Sequence, residues 1–207
     1  MYHRYICNCK DAISAAFRKL MGSYNGPVSE EVCLNCPLED RTMMRINCCI
    51  FDVDPDVVIK DNYETLQRTF ENKLSDQSTH HCRQCLARSL EQQYVTGPYI
   101  CFDTSEAHRN GHKSQLSSVP TEMTLRGEKY VLSGLIQYRD YDEHFIAYCR
   151  SPTTGSWKVK NDLVKRAYVL KNDEDLHVHM LFYVRVTMYQ SPVSANFHSI
   201  RNDRFLI

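Results

Sequence analysis

The spacing of apolar residues in the first third of the chain predicts two helices with a strand between them. Apolar side chains recur every three or four positions over residues 11–21 and again over residues 62–74, as on the buried face of an amphipathic helix. Asp61 or Asn62 is a suitable N-cap for the second helix. Apolar residues and cysteine stand at alternate positions within residues 45–53, which is typical of a half-buried strand.

From residue 89 onward the pattern becomes that of a β-rich region. Strands separated by turn-forming residues are predicted at 99–102, 122–125, 130–138, 145–150, 156–159 and 178–186. Residues 105–118, which include His108 and His112, are polar and are predicted to form a loop. His177 and His179 alternate in the last strand-like run and are predicted to be ordinary strand residues. We expect the tail after residue 190 to be loosely held.

Composition narrows the classes of protein to consider. The 207 residues are 43% hydrophobic and 24% charged, as in an ordinary globular protein, and suit one domain with a real core. Lys+Arg and Asp+Glu are equal at 25 each, so no net charge would attract a polyanion, which counts against nucleic acid as the main partner. No apolar run is long enough for a secretory signal or a membrane helix. The expectation is an intracellular protein, cytoplasmic or nuclear, without a membrane or nucleic-acid partner.

Two of the ten cysteines form one Cys-x-x-Cys pair and two form another, at Cys33 and Cys36 and at Cys82 and Cys85. Each pair presents two thiolates to one side of an ion, and two pairs supply the four soft ligands that a structural Zn²⁺ prefers. Residues 37–81 separate the pairs, so a strand and a helix are predicted between them. Ordinary buried thiols are the alternative to a zinc site, and His80 or His81 could replace one cysteine as a ligand.

Further motifs follow the second cysteine pair in a recognisable order. They are Pro-Thr-Glu-Met-Thr-Leu at 120–125, the strand 130–138, Glu143-His144-Phe145, Trp157-x-x-x-Asn161-Asp162, and the segment 167–185 that ends in Leu-Phe-Tyr-Val-Arg. In order and spacing, and with the cysteine pairs before them, these motifs resemble the ubiquitin-specific proteases. That family consists of papain-like cysteine deubiquitinases with a thumb, a palm and fingers. The resemblance covers residues 32–185.

The resemblance implies an α+β fold with a papain-like cysteine protease palm, a mostly antiparallel sheet, zinc-finger-type fingers and an N-terminally truncated thumb. The implied domain is residues 1–190, with a thumb remnant at 1–26, fingers at 27–98, a palm at 99–190 and a tail at 191–207. It also implies thiol-dependent cleavage after the C-terminal glycine of ubiquitin, with His144 as general base. Asn161 would accept a hydrogen bond from Nδ1–H of that histidine, and Asp162 is the alternative for this role.

The nucleophile is where the sequence departs most from the family. Family members carry it in a Gly-Asn-x-Cys box ahead of the fingers, and the sequence contains no such box. Cys9 is a remaining candidate, because it lies just before the predicted helix 11–21, whose N-terminus would lower the pKa of its thiol. Glu143 stands where the family has glycine, and this side chain could obstruct the ubiquitin tail or attract its arginines.

Three hypotheses therefore describe the function. The first is a deubiquitinase-class domain that is inactive by itself because the nucleophile box is missing. The second is a pseudoenzyme that binds ubiquitin without chemistry. The third is a zinc-stabilised scaffold that binds another protein. All three predict structural zinc, and the first two predict ubiquitin or a ubiquitinated protein as the partner.

Overall fold

The computed structural model of the chain describes residues 28–33, 35–37, 44–47, 50–75, 82, 84–86, 90–95, 97–109, 111–139, 141–164, 166–170 and 174–186. The predicted helix 11–21, the loosely held tail, and Cys9, His80 and His81 lie outside these residues. The described part is a mixed α/β structure, mostly strands with few helices. None of its helices is both long enough and apolar enough to cross a membrane.

A small antiparallel sheet contains three strands. They are β1 (Val28–Cys33), β2 (Met44–Asn47) and β4 (Leu90–Val95), in the order β2-β1-β4. Cys33 at the end of β1 lies opposite Leu90 at the start of β4. The sheet therefore brings the chain that follows Cys33 close to the chain that precedes Leu90, where the second cysteine pair lies.

The large sheet contains eight strands among the described residues. They are β3 (Phe51–Asp52), β5 (Tyr99–Asp103), β7 (Glu122–Leu125), β8 (Glu128–Arg139), β9 (His144–Arg150), β10 (Trp157–Lys160), β11 (Tyr168–Val169) and β13 (Val178–Arg185). Their order is β11-β10-β9-β8-β13-β5-β3, and β7 pairs with β8. Only the β3–β5 pair is parallel among these, so the prediction of a mostly antiparallel sheet is confirmed. Strands β6 (Ser114–Gln115) and β12 (Asp175–Leu176) form a separate short pair.

Three short helices accompany these strands in the described residues. They are α1 (Pro55–Ile59), α2 (Leu66–Ser75) and α3 (Ser105–Arg109). Helix α1 begins after Asp54, whose side chain accepts a hydrogen bond from the backbone N–H of Asp56 at 2.9 Å, and Pro55 suits the first helical position. Helix α2 buries Leu66, Phe70 and Leu74, three of the four apolar residues that its spacing predicts.

An aromatic chain joins α2 to the large sheet. Phe70 meets Phe51 of β3 edge-on at 4.4 Å between ring centroids and Phe102 of β5 at 5.1 Å, and Phe102 meets Tyr183 of β13 at 5.7 Å. Edge-to-face contacts of this kind add about 0.5–1.5 kcal/mol per pair to the free energy of area burial. Helix α2 is thereby fixed against the β3–β5–β13 end of the sheet.

Three predictions of local structure are wrong in their boundaries. Residues 45–53 form two strands, because Phe51 and Asp52 leave the small sheet and pair with β5 in parallel. The second helix begins at Leu66 and not at Asn62, because Asn62 and Tyr63 have φ angles of +46° and +69° that a helix does not allow. Residues 105–118 are not a loop, since they contain α3, β6 and a 3₁₀ turn, Leu116–Ser118, and bury several side chains.

Candidate functional site

His144 is the first residue of β9 and stands at the mouth of the β8–β9 hairpin, opposite Arg139. Arg139 forms an ion pair with Asp142 in the hairpin loop and lies 4.9 Å from the centre of the Tyr141 ring. Glu143, immediately before the histidine, has a φ of +48°. The His144 side chain is 17% exposed, so the ring is held by its neighbours yet open to solvent on one side.

Asn161 and Asp162 directly follow β10. This strand runs antiparallel to β9, with Lys160 opposite Ala147, and the residues after β10 therefore lie beside the start of β9. Nε2 of His144 is 2.9 Å from Oδ1 of Asn161 and 2.8 Å from Oδ1 of Asp162. The three residues selected from the sequence as candidate catalytic residues are thus neighbours in the structure.

The partners of Nε2 determine where the proton of the imidazole lies. Oδ1 of Asn161 also accepts a hydrogen bond from the backbone N–H of Leu163 at 2.9 Å, which orients the amide with its oxygen toward the ring. Both groups that face Nε2 are acceptors, so Nε2 carries the hydrogen and Nδ1 keeps its lone pair. The prediction that Nδ1–H bonds to Asn161 is wrong, because the chain after β10 approaches the ring from its Nε2 side.

This arrangement leaves Nδ1 as the basic atom. A proton taken up there would convert the ring to an imidazolium, which the Asn161 amide would hold in place and the Asp162 carboxylate would attract. Asp162 is 81% exposed, and an ion pair of such a group is worth about 1 kcal/mol or less. The geometry can therefore orient a base strongly and stabilise its charged form modestly.

No thiol of the described residues lies at this base. Cys149 is exposed on the same strand as His144, but five residues along a strand correspond to about 16 Å. Cys101 is buried on β5, which is separated from β9 by β8 and β13. The strand register aligns Cys101 with Cys149, so its thiol is displaced from His144 by about 14 Å across the sheet, at about 4.8 Å per strand, and by about 16 Å along it. Cys9 lies outside the described residues.

The two cysteine pairs converge into one cluster. The Sγ atoms of Cys33, Cys36, Cys82 and Cys85 all lie within 4.8 Å of one another. The Sγ atoms of Cys33 and Cys85 are 3.4 Å apart and those of Cys36 and Cys82 are 3.7 Å apart, which is too far for a disulfide bond. Sulfur atoms bound tetrahedrally to zinc at about 2.3 Å would be about 3.8 Å apart, so the cluster fits such an ion. The four cysteines could bind a metal ion.

The ionisation of the four thiols bears on how they would hold a cation. Backbone N–H groups of Cys85 and Gln84 donate to Cys82 and lower the pKa of that thiol to about 6. Burial, together with the neighbouring thiols, raises the pKa of Cys36 to about 12. Four thiolates therefore do not form in this buried space by themselves, whereas a dication at their centre would favour all four.

The structure brings together four histidine side chains that the sequence pattern does not predict to be a group. His108 is 4% exposed and lies close to His112, His177 and His179. Burial is the largest cause that lowers the pKa of His108, to about 4, so this imidazole is neutral at pH 7. The alternation of His177 and His179 was the only signal in the sequence. This alternation does not reveal the group, because the burial of His108 depends on the packing of α3 against a strand about seventy residues later in the chain.

Comparison with known proteins supports the fold. No protein-family model matches the chain. The structure is similar to the apo Pan2 pseudoubiquitin hydrolase-RNA exonuclease module of Saccharomyces cerevisiae, with a TM-score of 0.50, 13% identity, and coverage of 87% of this chain and 37% of that chain. It is also similar to the SAGA DUB module of Ubp8, Sgf11, Sus1 and Sgf73 bound to monoubiquitin, with a TM-score of 0.44, 17% identity, and coverage of 77% and 40%. The chain therefore has a fold similar to that of part of the Pan2 module.

A curated protein is related in sequence. The 120.7 kDa protein in the NOF-FB transposable element of Drosophila melanogaster is 33% identical over 120 residues, which cover 50% of this chain and 11% of that protein. The chain therefore spans about a tenth of this relative and about two fifths of the structures that it resembles.

Proposed function

We propose that the chain is a ubiquitin-specific protease-like domain that binds ubiquitin and does not cleave it unaided. The observation that carries the proposal is the contact of Nε2 of His144 with Asn161 and Asp162 at 2.9 and 2.8 Å, on a fold similar to that of the Pan2 pseudoubiquitin hydrolase-RNA exonuclease module. This is the base half of a cysteine hydrolase site. The described residues offer no thiol to complete it.

The base half has a defined part in the proposed chemistry. A thiol placed next to Nδ1 of His144 would give its proton to that atom, and the resulting thiolate would attack the carbonyl carbon of the terminal glycine of ubiquitin. The imidazolium would return the proton to the departing amine as the peptide or isopeptide bond breaks, and water would then hydrolyse the thioester. The Nε2–H bond to Asn161 keeps the ring in the orientation that this transfer needs. Cys9 is the candidate thiol within the sequence. An inactive chain with this geometry would be a pseudoenzyme. The Pan2 module is likewise named a pseudoubiquitin hydrolase.

Zinc at the four cysteines belongs to the same proposal. The small sheet β2-β1-β4 and the cysteine cluster would form the fingers, and the large sheet would form the palm of a papain-like fold. In such an arrangement the ion is structural, because all four ligand positions are filled by thiolates and none remains for substrate. Reduced thiols require a reducing compartment, so a cytoplasmic or nuclear location accompanies the proposal.

The experiment that tests the function uses ubiquitin with a thiol-reactive group in place of its C-terminal carboxylate. The purified full chain is incubated with this probe, and intact mass and peptide mapping identify any adduct. Binding of unmodified ubiquitin is measured separately by calorimetric titration. We expect binding without an adduct.

Variants distinguish the outcomes. An adduct at Cys9 that disappears in both Cys9→Ala and His144→Ala would show an active enzyme and contradict the inactivity. Cys149→Ala is the matched control, because this exposed thiol lies far from His144 and should not affect a specific adduct. Absence of ubiquitin binding by a folded chain would overturn the proposal and favour the zinc-stabilised scaffold for another partner.

The zinc component has its own test. We expect the chain as purified from cells to contain zinc and to unfold at lower temperature when the ion is removed by a chelator. Cys82→Ser should lose the ion of the cysteine cluster, whereas Cys149→Ser, which changes an exposed cysteine outside the cluster, should keep it. A chain that contains no zinc and is indifferent to the chelator would contradict this component.

A further inference from the structure

Four histidines from two distant parts of the chain meet beside the large sheet. His108 lies on α3 and His112 follows that helix, whereas His177 directly precedes β13 and His179 is the second residue of that strand. We call this group the histidine cluster. His108 is at its centre, with ring centroids 6.1 Å from His112, 5.9 Å from His177 and 5.7 Å from His179.

Backbone hydrogen bonds hold the two segments together. The backbone N–H of Thr104, just before α3, donates to the carbonyl oxygen of His179 at 2.9 Å, and the Thr104 hydroxyl donates to the carbonyl oxygen of Val178 at 2.6 Å. Strand β13 has a register shift between Val178 and Met180, which places His179 at an irregularity of the ladder. Irregularities of this kind re-aim a side chain, and they recur next to functional sites.

Two donor atoms of the cluster have a lone pair available for a metal ion. Nδ1 of His108 donates to the carbonyl oxygen of His112 at 2.5 Å, so Nε2 keeps its lone pair. Nε2 of His108 and Nε2 of His112 are both buried and have no hydrogen-bond partner among the residues that the structure describes. A backbone carbonyl that fixes one ring nitrogen and leaves the other for the ion is the usual setting of a metal-binding histidine.

The rings around His108 are spaced more widely than rings that share a zinc ion. Two imidazoles on one tetrahedral zinc ion, with Zn–N bonds of about 2.0–2.1 Å, have ring centroids about 5 Å apart. The observed separations from His108 are 5.7 to 6.1 Å. No three ring nitrogens of the cluster lie within 4.8 Å of one another in the described residues, so the side chains must rotate to bring their donor atoms together before they share an ion. This is a wider starting arrangement than that of the cysteine cluster.

We propose that the histidine cluster is a second metal site of the chain, one that binds a divalent transition-metal ion, with zinc the expected occupant, through imidazole nitrogens. Imidazole ligands suit Zn²⁺. A buried ring nitrogen without a hydrogen-bond partner is unfavourable, and a bound ion would satisfy it. The site would join α3 to β13. His179 also packs on Tyr138 and Phe145, at 5.5 and 6.2 Å between ring centroids, and Phe145 is the residue after His144. The inference does not depend on the proposed function.

The test measures metal content. The full chain is equilibrated with zinc, freed of loosely bound ions by gel filtration, and analysed for zinc per chain by elemental mass spectrometry. We expect two ions in the wild type, one in His108→Gln and one in Cys82→Ser. Because loss of even an outer-shell partner weakens metal binding by about 10–100-fold, loss of a ligand should weaken the second site by at least about 100-fold.

Cobalt distinguishes the two sites spectroscopically. In Cys82→Ser we expect Co²⁺ to give the absorption of a nitrogen-ligated ion, without the thiolate-to-cobalt charge-transfer band of an intact four-cysteine site. This absorption should disappear when His112→Ala is added, which changes a half-buried residue in a turn and should fold normally. His144→Gln is the matched control, because the Nε2 of this histidine already has partners outside the cluster, and it should retain both ions. One ion per wild-type chain, or two ions that persist in both cluster variants, would overturn the proposal.

Discussion

Glu143 lies in a backbone conformation that favours glycine, and we expect its replacement by glycine to stabilise the protein. Its φ of +48° is in the left-handed region, at the end of the β8–β9 hairpin loop and next to His144. For an L-residue this conformation costs about 1–2 kcal/mol. Glycine has more freedom in the unfolded chain, which offsets about 0.4–1 kcal/mol of the gain. The expected net increase in the free energy of unfolding for Glu143→Gly is about 0.5–1 kcal/mol.

Urea denaturation at constant metal content is the suitable assay, because the change should appear as a higher midpoint with an unchanged slope. For a chain of this size the melting temperature should rise by about 2–4 °C per kcal/mol. Glu143→Ala is the matched control, since it removes the same carboxylate and keeps the left-handed strain. If both variants stabilised the protein equally, strain would not be the cause. If Glu143→Gly destabilised it, the reasoning would be refuted.

Three other positions give predictions of known sign. Gly134→Ala should lower the free energy of unfolding by about 1–3 kcal/mol, because a Cβ there would lie 2.9 Å from the main-chain oxygen of Tyr148. Denaturant titration checks this, and no loss of stability would show that β8 and β9 can separate at this position. Arg126→Asn should raise the free energy of unfolding by about 0.5 kcal/mol, because the two-residue turn between β7 and β8 has φ angles of +51° and +80°, which favour Asn-Gly. A lower melting temperature would contradict this prediction. Burial raises the pKa of Tyr63 to about 12, so the unfolded chain releases this proton from pH 10 and the folded chain only from pH 12. The stabilisation from this group is therefore lost as pH rises, by about 1 kcal/mol between pH 9 and 11. The difference in free energy of unfolding between the wild type and Tyr63→Phe should change by that amount over this range.

The parts of the fold that local patterns determine were predictable. Residues 122–125 were predicted as a strand and form β7 with these same ends, because alternating burial precedes a strong two-residue turn. The proximity of His144 to Asn161 also followed from a motif, since a hairpin and an antiparallel strand bring positions of that spacing together. Their catalytic role stays a prediction.

The parts that distant contacts determine were not predictable. Phe51 and Asp52 continue an alternating pattern, and only the presence of β5 explains why they leave the first sheet. Helix α3 has a polar sequence without a helical period, and His108 is buried because β13 covers it. The nitrogen by which His144 contacts Asn161 depends on the direction from which the chain approaches the ring, which no sequence pattern specifies.

The cysteine cluster also has a consequence for how the chain reaches its fold. It joins Cys33 to Cys85, 52 positions apart, around a segment that contains β3 and helices α1 and α2. In a disordered chain, closing a loop of about 50 residues removes conformational entropy worth on the order of 4 kcal/mol. The folded chain has already made this closure, so an ion at the four thiolates binds the folded state in preference to the unfolded one, and its affinity contributes to the folding equilibrium. The fraction of folded molecules would then follow the free zinc concentration, by about 1.4 kcal/mol for each tenfold change once the ion is in excess.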